Sequence, residues 1–370
     1  MERIPVANPD IGEAEANAVH EVVRSGWISM GRKVEEFESL ARDFTGARHA
    51  VAMNNGTSTL HALLLALEIG AGDEVIVPSL TYISSVNAVI FTGADYVLCD
   101  SDPDTFNVDV HHVRELITER TKAIMPVDLK GMPVDYDGFA ALADETGVAV
   151  IGDSAESLGA EYRGARVGTQ VLAHSFSFFA NKNVTTGEGG MVVTDDDALF
   201  EKLRIVRNQG QEGRYHHTHL GNNFRMTDVL AAIGVEQLPK LDAILSAKEE
   251  QAARYDELFS QTDHVATPTV PDYVTRHSWY NYSIKVDASI RDAVVQELEE
   301  QEIETRLSFP PVHGQPYHQD RFGHDAGAFP GAEAAARSFI DIPIFAGLRA
   351  DQQERVAAEV IRICGEEGQG

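Results

Sequence analysis

Apolar positions recur along this chain at two spacings, and the alternation between them is its main pattern. Leu60, Leu63, Leu64 and Leu67 stand at i, i+3, i+4 and i+7 after Thr57, which predicts a helix stopped by Gly70 and Gly72. Short apolar runs follow at 74–78, 95–100, 123–127 and 148–151, rich in Val and Ile. Helices predicted over about 83–91 and 136–146 fall between them. This βαβ rhythm predicts a mostly parallel sheet with helices on both faces. In such sheets, ligands bind beyond the carboxyl ends of the strands. Upstream, Asp10 and Glu13 predict a helix start, with Ala16, Val19 and Val23 on one face and Gly26-Trp27 at its end. A second helix is expected over about 33–44.

After Asp197 the rhythm changes. Two helices are expected over about 227–259, a polar strand over 278–286, a helix from Arg291 and a closing helix from Asp351. Val356, Val360, Ile363 and Cys364 share one face of the last. The pattern divides the chain into a large α/β domain over residues 1–240 and a smaller α+β domain over 241–370.

Length and composition narrow the class. With 370 residues, 43% of them hydrophobic, the chain can bury one large core and a smaller second one. No run of about 18 apolar residues occurs, so no membrane span is expected. Met1-Glu2-Arg3-Ile4-Pro5 lacks a basic-then-apolar signal pattern. Cys99 and Cys364 are far apart, without metal spacing, and read as small core residues of a reduced cytoplasm. The formal net charge of -28 argues against nucleic acid or an anionic membrane as partner. The acids are dispersed, as on a solvated surface suited to a saline cytoplasm.

Three stretches carry candidate chemistry. Asn54-Asn55-Gly56-Thr57-Ser58 opens the Leu60 helix, where free N–H groups attract an anion such as phosphate; a plain helix cap fits it as well. Gly152-Asp153-Ser154-Ala155-Glu156 follows a buried strand, so Asp153 sits at the active edge of the sheet. It could hold a cation, a metal, a ribose or a protonated pyridine nitrogen, or cap a helix. Phe176-Ser177-Phe178-Phe179-Ala180-Asn181-Lys182-Asn183-Val184-Thr185-Thr186-Gly187-Glu188-Gly189-Gly190 joins an alternating strand to a glycine-rich turn. Lys182 is the only Lys or Arg between Arg166 and Lys202, and reads as a reactive amine or as a solvent-facing loop residue. A lysine that bonds pyridoxal phosphate needs a phosphate site and an aspartate facing the pyridine nitrogen.

In combination these stretches resemble the DegT/DnrJ/StrS family of sugar-nucleotide aminotransferases, enzymes of fold type I that use pyridoxal 5′-phosphate. The resemblance covers nearly the whole chain and includes Gly26-Trp27 with Gly31, Asp73 through Tyr82, Asp153-Ser154-Ala155-Glu156-Ser157-Leu158-Gly159 and Gly221-Asn222-Asn223-Phe224-Arg225-Met226. The block from Phe176 to Gly190 is most similar to the perosamine-synthase branch.

The resemblance implies roles. Lys182 would be the Schiff-base lysine and proton carrier, and Asp153 the partner of the pyridinium nitrogen. Gly56 and Thr57 would bind the phosphate by their N–H groups, with the Ser177 hydroxyl beside them. Tyr82 would stack on the cofactor ring, and Glu156 would approach its hydroxyl. Asn223 would reach the phosphate of a neighbouring subunit, which implies a homodimer with shared sites. His217, Arg225 and His313 are candidate substrate contacts, Arg225 also fitting a structural ion pair and His313 a domain-interface cap. His216, His217 and His219 lack a carboxylate at metal spacing, so no metal is expected.

The implied reaction moves an amino group from L-glutamate to a nucleotide-linked 4-keto-6-deoxy sugar. Alternatives are 4- or 3-amination of a UDP- or dTDP-linked sugar, or a cofactor-binding regulator without turnover. Two departures leave the substrate open: Leu129-Lys130-Gly131 stands where relatives often have Leu-Tyr-Gly, and Asp128 where many have histidine.

Overall fold

The computed structural model describes residues 2–367 and is built on a seven-stranded sheet. From one edge to the other its strands are His49–Met53, Gly190–Thr194, Ala173–Ser177, Ala149–Asp153, Thr121–Ile124, Glu74–Pro78 and Asp95–Cys99. Gly190–Thr194 runs antiparallel to both its neighbours, and the other pairings are parallel. The fold is that of a large, mostly parallel α/β sheet, consistent with fold type I.

The strands read as continuous apolar runs because both faces are covered. Val75 and Val77 pack into one cluster with Leu60, Leu63 and Leu64 of the helix Gly56–Ala66. Ile76, between them, packs into the opposite cluster with Phe37, Tyr136, Phe139, Phe176 and Phe178. A third cluster lies around a three-stranded sheet of Tyr282–Lys285, Phe339–Ile342 and Arg306–Leu307. The closing helix, Ala350–Glu367, contributes Val356, Val360, Ile363 and Cys364 to it.

The helix Leu241–Phe259 belongs to two cores. Leu241 and Leu245 pack under the large sheet, whereas Ala252, Tyr255 and Phe259 join the third cluster. The chain's first residues also reach that cluster. The Ile4 N–H donates to Glu302 O at 2.8 Å, and the Glu304 N–H donates to Ile4 O at 2.9 Å. Among the described residues, no helix is long and apolar enough to cross a membrane.

Two local expectations are corrected. The first helix is Glu13–Ser25, capped by Gly12 with Glu15 rather than by Asp10 with Glu13. Its buried positions are Glu15 and Val22, while Ala16 and Val23 are exposed. A carboxylate can be the buried member because the Glu15 oxygens are met by Lys240 Nζ, Gln237 Nε2 and the Gly12 N–H. The polar strand expected from Ser278 begins only at Tyr282. Before it, the Ser278 N–H donates to Gly131 O, and Trp279 takes a left-handed φ of 46° that no strand accommodates.

Candidate active site

The helix Gly56–Ala66 points its N-terminus at the end of the strand Ala173–Ser177. Asn55 caps it by accepting the Ser58 N–H at 2.8 Å. That leaves the first-turn amides of Gly56 and Thr57 for an anion at the cavity wall. Space is tight here. A Cβ on Gly56 would lie 3.1 Å from the Ser177 Cβ, and one on Gly190 would lie 2.6 Å from Asn55 O. The Thr57 hydroxyl is 2.7 Å from that of Ser84.

Asp153 ends its strand as a buried carboxylate. Its Oδ2 accepts the Ser85 hydroxyl at 2.7 Å, and Ser85 in turn accepts from Thr81 at 2.8 Å. Burial pushes the Asp153 carboxyl up to about 6, with the Ser85 bond and Lys182 pulling the other way. Cofactor-free protein therefore favours the protonated acid in the fold. Its stability should fall as pH rises from about 4 to about 6, by an amount on the order of 3 kcal/mol. Asp153→Asn is expected to remove that slope in urea unfolding of the cofactor-free protein. An unchanged slope would place the titration elsewhere.

Asp128 lies deeper. It accepts the hydroxyls of Tyr136, Ser154 and Ser157 and, at 3.0 Å, the Val134 N–H. It does not line the cavity, so this departure from the family pattern serves the support beneath Asp153.

Lys182 follows the next strand, in the turn that leads to the antiparallel one. Its Nζ lies 3.4 Å from Glu156 Oε1 and 4.1 Å from the centre of the Tyr280 ring. Burial opposes its charge, but Tyr280, Glu156 and Asp153 outweigh it and hold the ammonium above the ordinary lysine range. Tyr280 counts only when ionised, and burial pushes its own ionisation up. At neutral pH the two carboxylates are therefore what keeps the proton on Lys182. Glu156 is fixed at its other oxygen by the Lys130 N–H at 2.7 Å. Lys130 turns its side chain away, into a buried pair with Asp341 at 2.7 Å. The second departure from the family pattern is thus a strut between the turn Leu129–Gly131 and the strand Phe339–Ile342.

Gly56, Thr57, Tyr82, Asp153, Glu156, Ser177 and Lys182 all line one cavity of about 390 Å³. Tyr82 is exposed at its mouth, its ring centre 5.3 Å from that of Phe309. The other named residues lie outside it. Asn223 is exposed and forms an isolated antiparallel bridge with Asn208. Arg225 donates to Asn208 Oδ1 at 2.6 Å and pairs with no carboxylate among the described residues. His217 is exposed on a short hairpin, its Nδ1 2.9 Å from Gln209 O. His313 is buried between the Ser79 hydroxyl at 2.7 Å and Glu333 at 3.2 Å, which makes it a tie between segments rather than a pocket wall.

Sequence reading missed Ser85, Tyr280 and Phe309, all of which touch this site or its aspartate. Ser85 was hidden in a helix start. Tyr280 and Phe309 come from distant segments with no local signal.

The residues present fit pyridoxal phosphate. The Gly56–Ser177 approach makes a cradle for a phosphate, and Asp153 is a buried acid suited to a ring cation. A cation beside Asp153 would also cancel one of the two anions that keep Lys182 protonated, which eases release of the amine.

The profile of the DegT/DnrJ/EryC1/StrS aminotransferase family matches residues 9–361. The chain is 41% identical over 369 residues to GDP-perosamine synthase of Caulobacter vibrioides, covering 98% of this chain and 99% of that protein. It is 36% identical over 374 residues to the spore coat polysaccharide biosynthesis protein SpsC of Bacillus subtilis, covering 96% of each. A putative sugar aminotransferase of Streptococcus pneumoniae, Spr1654, solved in its PLP-form, superposes with a TM-score of 0.93 at 28% identity, covering 99% of each chain. With that profile running over nearly its whole length, this chain belongs to the DegT/DnrJ/EryC1/StrS aminotransferase family.

Proposed function

We propose that this aminotransferase moves the amino group of L-glutamate to C4 of a nucleotide-linked 4-keto-6-deoxy sugar, as a GDP-perosamine synthase does, in building a surface polysaccharide. The observation that carries the reading is the meeting of the Gly56–Ser177 cradle, Asp153 and Lys182 in one cavity. The relative named for perosamine supports the choice of sugar, and the one named for spore coat polysaccharide supports the polysaccharide role.

The cofactor is pyridoxal 5′-phosphate. When bound, it supplies the aldehyde that carries the amino group and a ring that takes up the electron pair freed at the reacting carbon. In this reading, the Gly56 and Thr57 amides and the Ser177 hydroxyl bind the phosphate. Asp153, oriented by Ser85, holds the proton on the ring nitrogen. Lys182 takes the Cα proton of glutamate, and in the second half delivers a proton to C4 of the sugar. Tyr280 packs its ring against that amine, and Phe309 lines the same cavity.

A second copy of the chain completes the reading. Asn223 and His217 lie exposed outside their own cavity, where they can serve a neighbour's. Val23, Trp27 and Ile28 are exposed apolar side chains at the end of the first helix, Trp27 63% exposed, which a second copy would cover.

The test is to incubate the enzyme with glutamate and GDP-, UDP- and dTDP-linked 4-keto sugars and to weigh the products. A GDP-linked 4-amino sugar is expected. Turnover only with UDP- or dTDP-sugars, or amination at C3, would overturn the substrate assignment. A protein whose bound cofactor shows no spectral conversion with glutamate would be a binder rather than an enzyme.

A further inference from the structure

Lys248 is a lysine that the reaction does not use. It sits in the helix Leu241–Phe259, 5% exposed, and among the described residues no carboxylate pairs with it. Its Nζ donates instead to three neutral acceptors: Asn183 Oδ1 at 2.6 Å, Trp279 O at 2.8 Å and Tyr280 O at 3.4 Å. Placing a cation there without a counter-ion is costly, and its three hydrogen bonds offset only part of that cost.

What these acceptors have in common is Lys182. Asn183 is the residue after it, and its amide nitrogen also donates to Ser278 O at 2.8 Å. On the other flank, the Tyr280 hydroxyl donates to Asn181 Oδ1 at 3.1 Å. The segment that receives Lys248 is itself strained, with Trp279 at a φ of 46°. A tryptophan in that conformation persists only where its surroundings over-determine it. Two of the Lys248 hydrogen bonds end on the carbonyls that follow this kink.

We propose that Lys248 is a positioning residue: it clamps the turn that carries Lys182 to the Trp279–Tyr280 segment, and so fixes the reacting amine against the Tyr280 ring. The clamp ties the turn of the large sheet to residues leading into the small one. Removing it lets the turn and the ring move apart, which costs rate more than binding.

Lys248 also adds positive charge near the reacting amine. Burial, with Arg306 as a lesser cause, brings its own proton affinity down to about 7. The other charged or titratable groups that face it are Lys182, Tyr280, His277 and Asp10, which lines the same small cavity, and burial keeps His277 neutral. Loss of the Lys248 charge should therefore make the nitrogen of cofactor-bound Lys182 easier to protonate.

The inference rests on the reading that Lys182 carries the reaction. The test compares Lys248→Met, Lys248→Arg and Asn183→Ala as holoenzymes. For Lys248→Met, kcat should fall on the order of 10–100-fold, with KM for glutamate changed less than about threefold. The pH midpoint of the visible band of cofactor-bound lysine should rise. Arginine keeps the charge and the donors, so Lys248→Arg should recover most of the rate and the original midpoint. Asn183→Ala, which cuts one arm of the clamp, should lower kcat in the same direction, and stands in if the methionine variant does not fold. A Lys248→Met enzyme that is merely less heat-stable, with kcat and midpoint unchanged, overturns the proposal. Failure of the underlying reading looks different: Lys182→Ala would then keep its band and turnover, whatever Lys248 does.

Discussion

Lys182→Ala is expected to lower kcat by about 10⁴-fold or more and to abolish the visible band of lysine-bound cofactor, while leaving the fold intact. The size follows from the roles that fall on one atom. General acid–base transfer alone contributes about 10²–10⁴-fold, and here the same nitrogen must also bond the cofactor. Other groups near it are poorly suited to replace it. Glu156 is held by the Lys130 N–H, and burial keeps the Tyr280 phenol from ionising. Lys182→Arg should be equally inactive, because a guanidinium keeps its charge and cannot release a proton at working pH. Added small primary amines should restore a fraction of the alanine variant's rate, since the cradle and Asp153 remain. Stopped-flow absorbance with glutamate, alongside far-ultraviolet circular dichroism, separates lost chemistry from lost structure. An alanine variant with ordinary turnover would sink the assignment.

The largest loss of stability is expected at Lys130 and Asp341. Their ion pair is buried, with side chains 4% and 2% exposed. Asp341 also accepts Asn281 Nδ2 at 2.8 Å and the Ser283 hydroxyl at 2.5 Å. Asp341→Ala leaves the Lys130 ammonium buried without a counter-ion, and Lys130→Met leaves the carboxylate. Either should cost about 3–5 kcal/mol. The double variant Lys130→Met with Asp341→Leu should recover much of that loss, because both charges go together. Chemical unfolding of the two single variants and the double variant measures the coupling. Additive losses would show that the pair contributes nothing as a pair.

The parts of the site that were legible in the sequence are those written locally. Asn55-Gly56-Thr57, Asp153 and Ser177-to-Lys182 each follow a strand or open a helix, and a parallel sheet brings such ends to one edge. Tyr280, Phe309 and Lys248 reach the site from distant segments, and nothing in their own neighbourhoods marks them. The first helix misled for a different reason. A periodicity rule buries Ala16 and Val23, but pairing with Lys240 and Gln237 made Glu15 the buried residue instead. The strand expected from Ser278 failed because its backbone answers Gly131 across the molecule rather than a neighbouring strand. His313 fitted either a pocket contact or a domain-interface cap in sequence, and its bonds to Ser79 and Glu333 favour the second.

The seat of Ile4 between Glu302 and Glu304 bears on how the chain is made. A ribosome releases the first residues long before the segment they pair with. The leading residues must therefore wait, unpaired, while the seven-stranded sheet forms behind them. They dock only once residues 302–304 have emerged, a contact of very high sequence separation that is late and slow to form. A nascent chain arrested before residue 302 should hold the large sheet with its leading residues still open to proteases, and release past Glu304 should protect them.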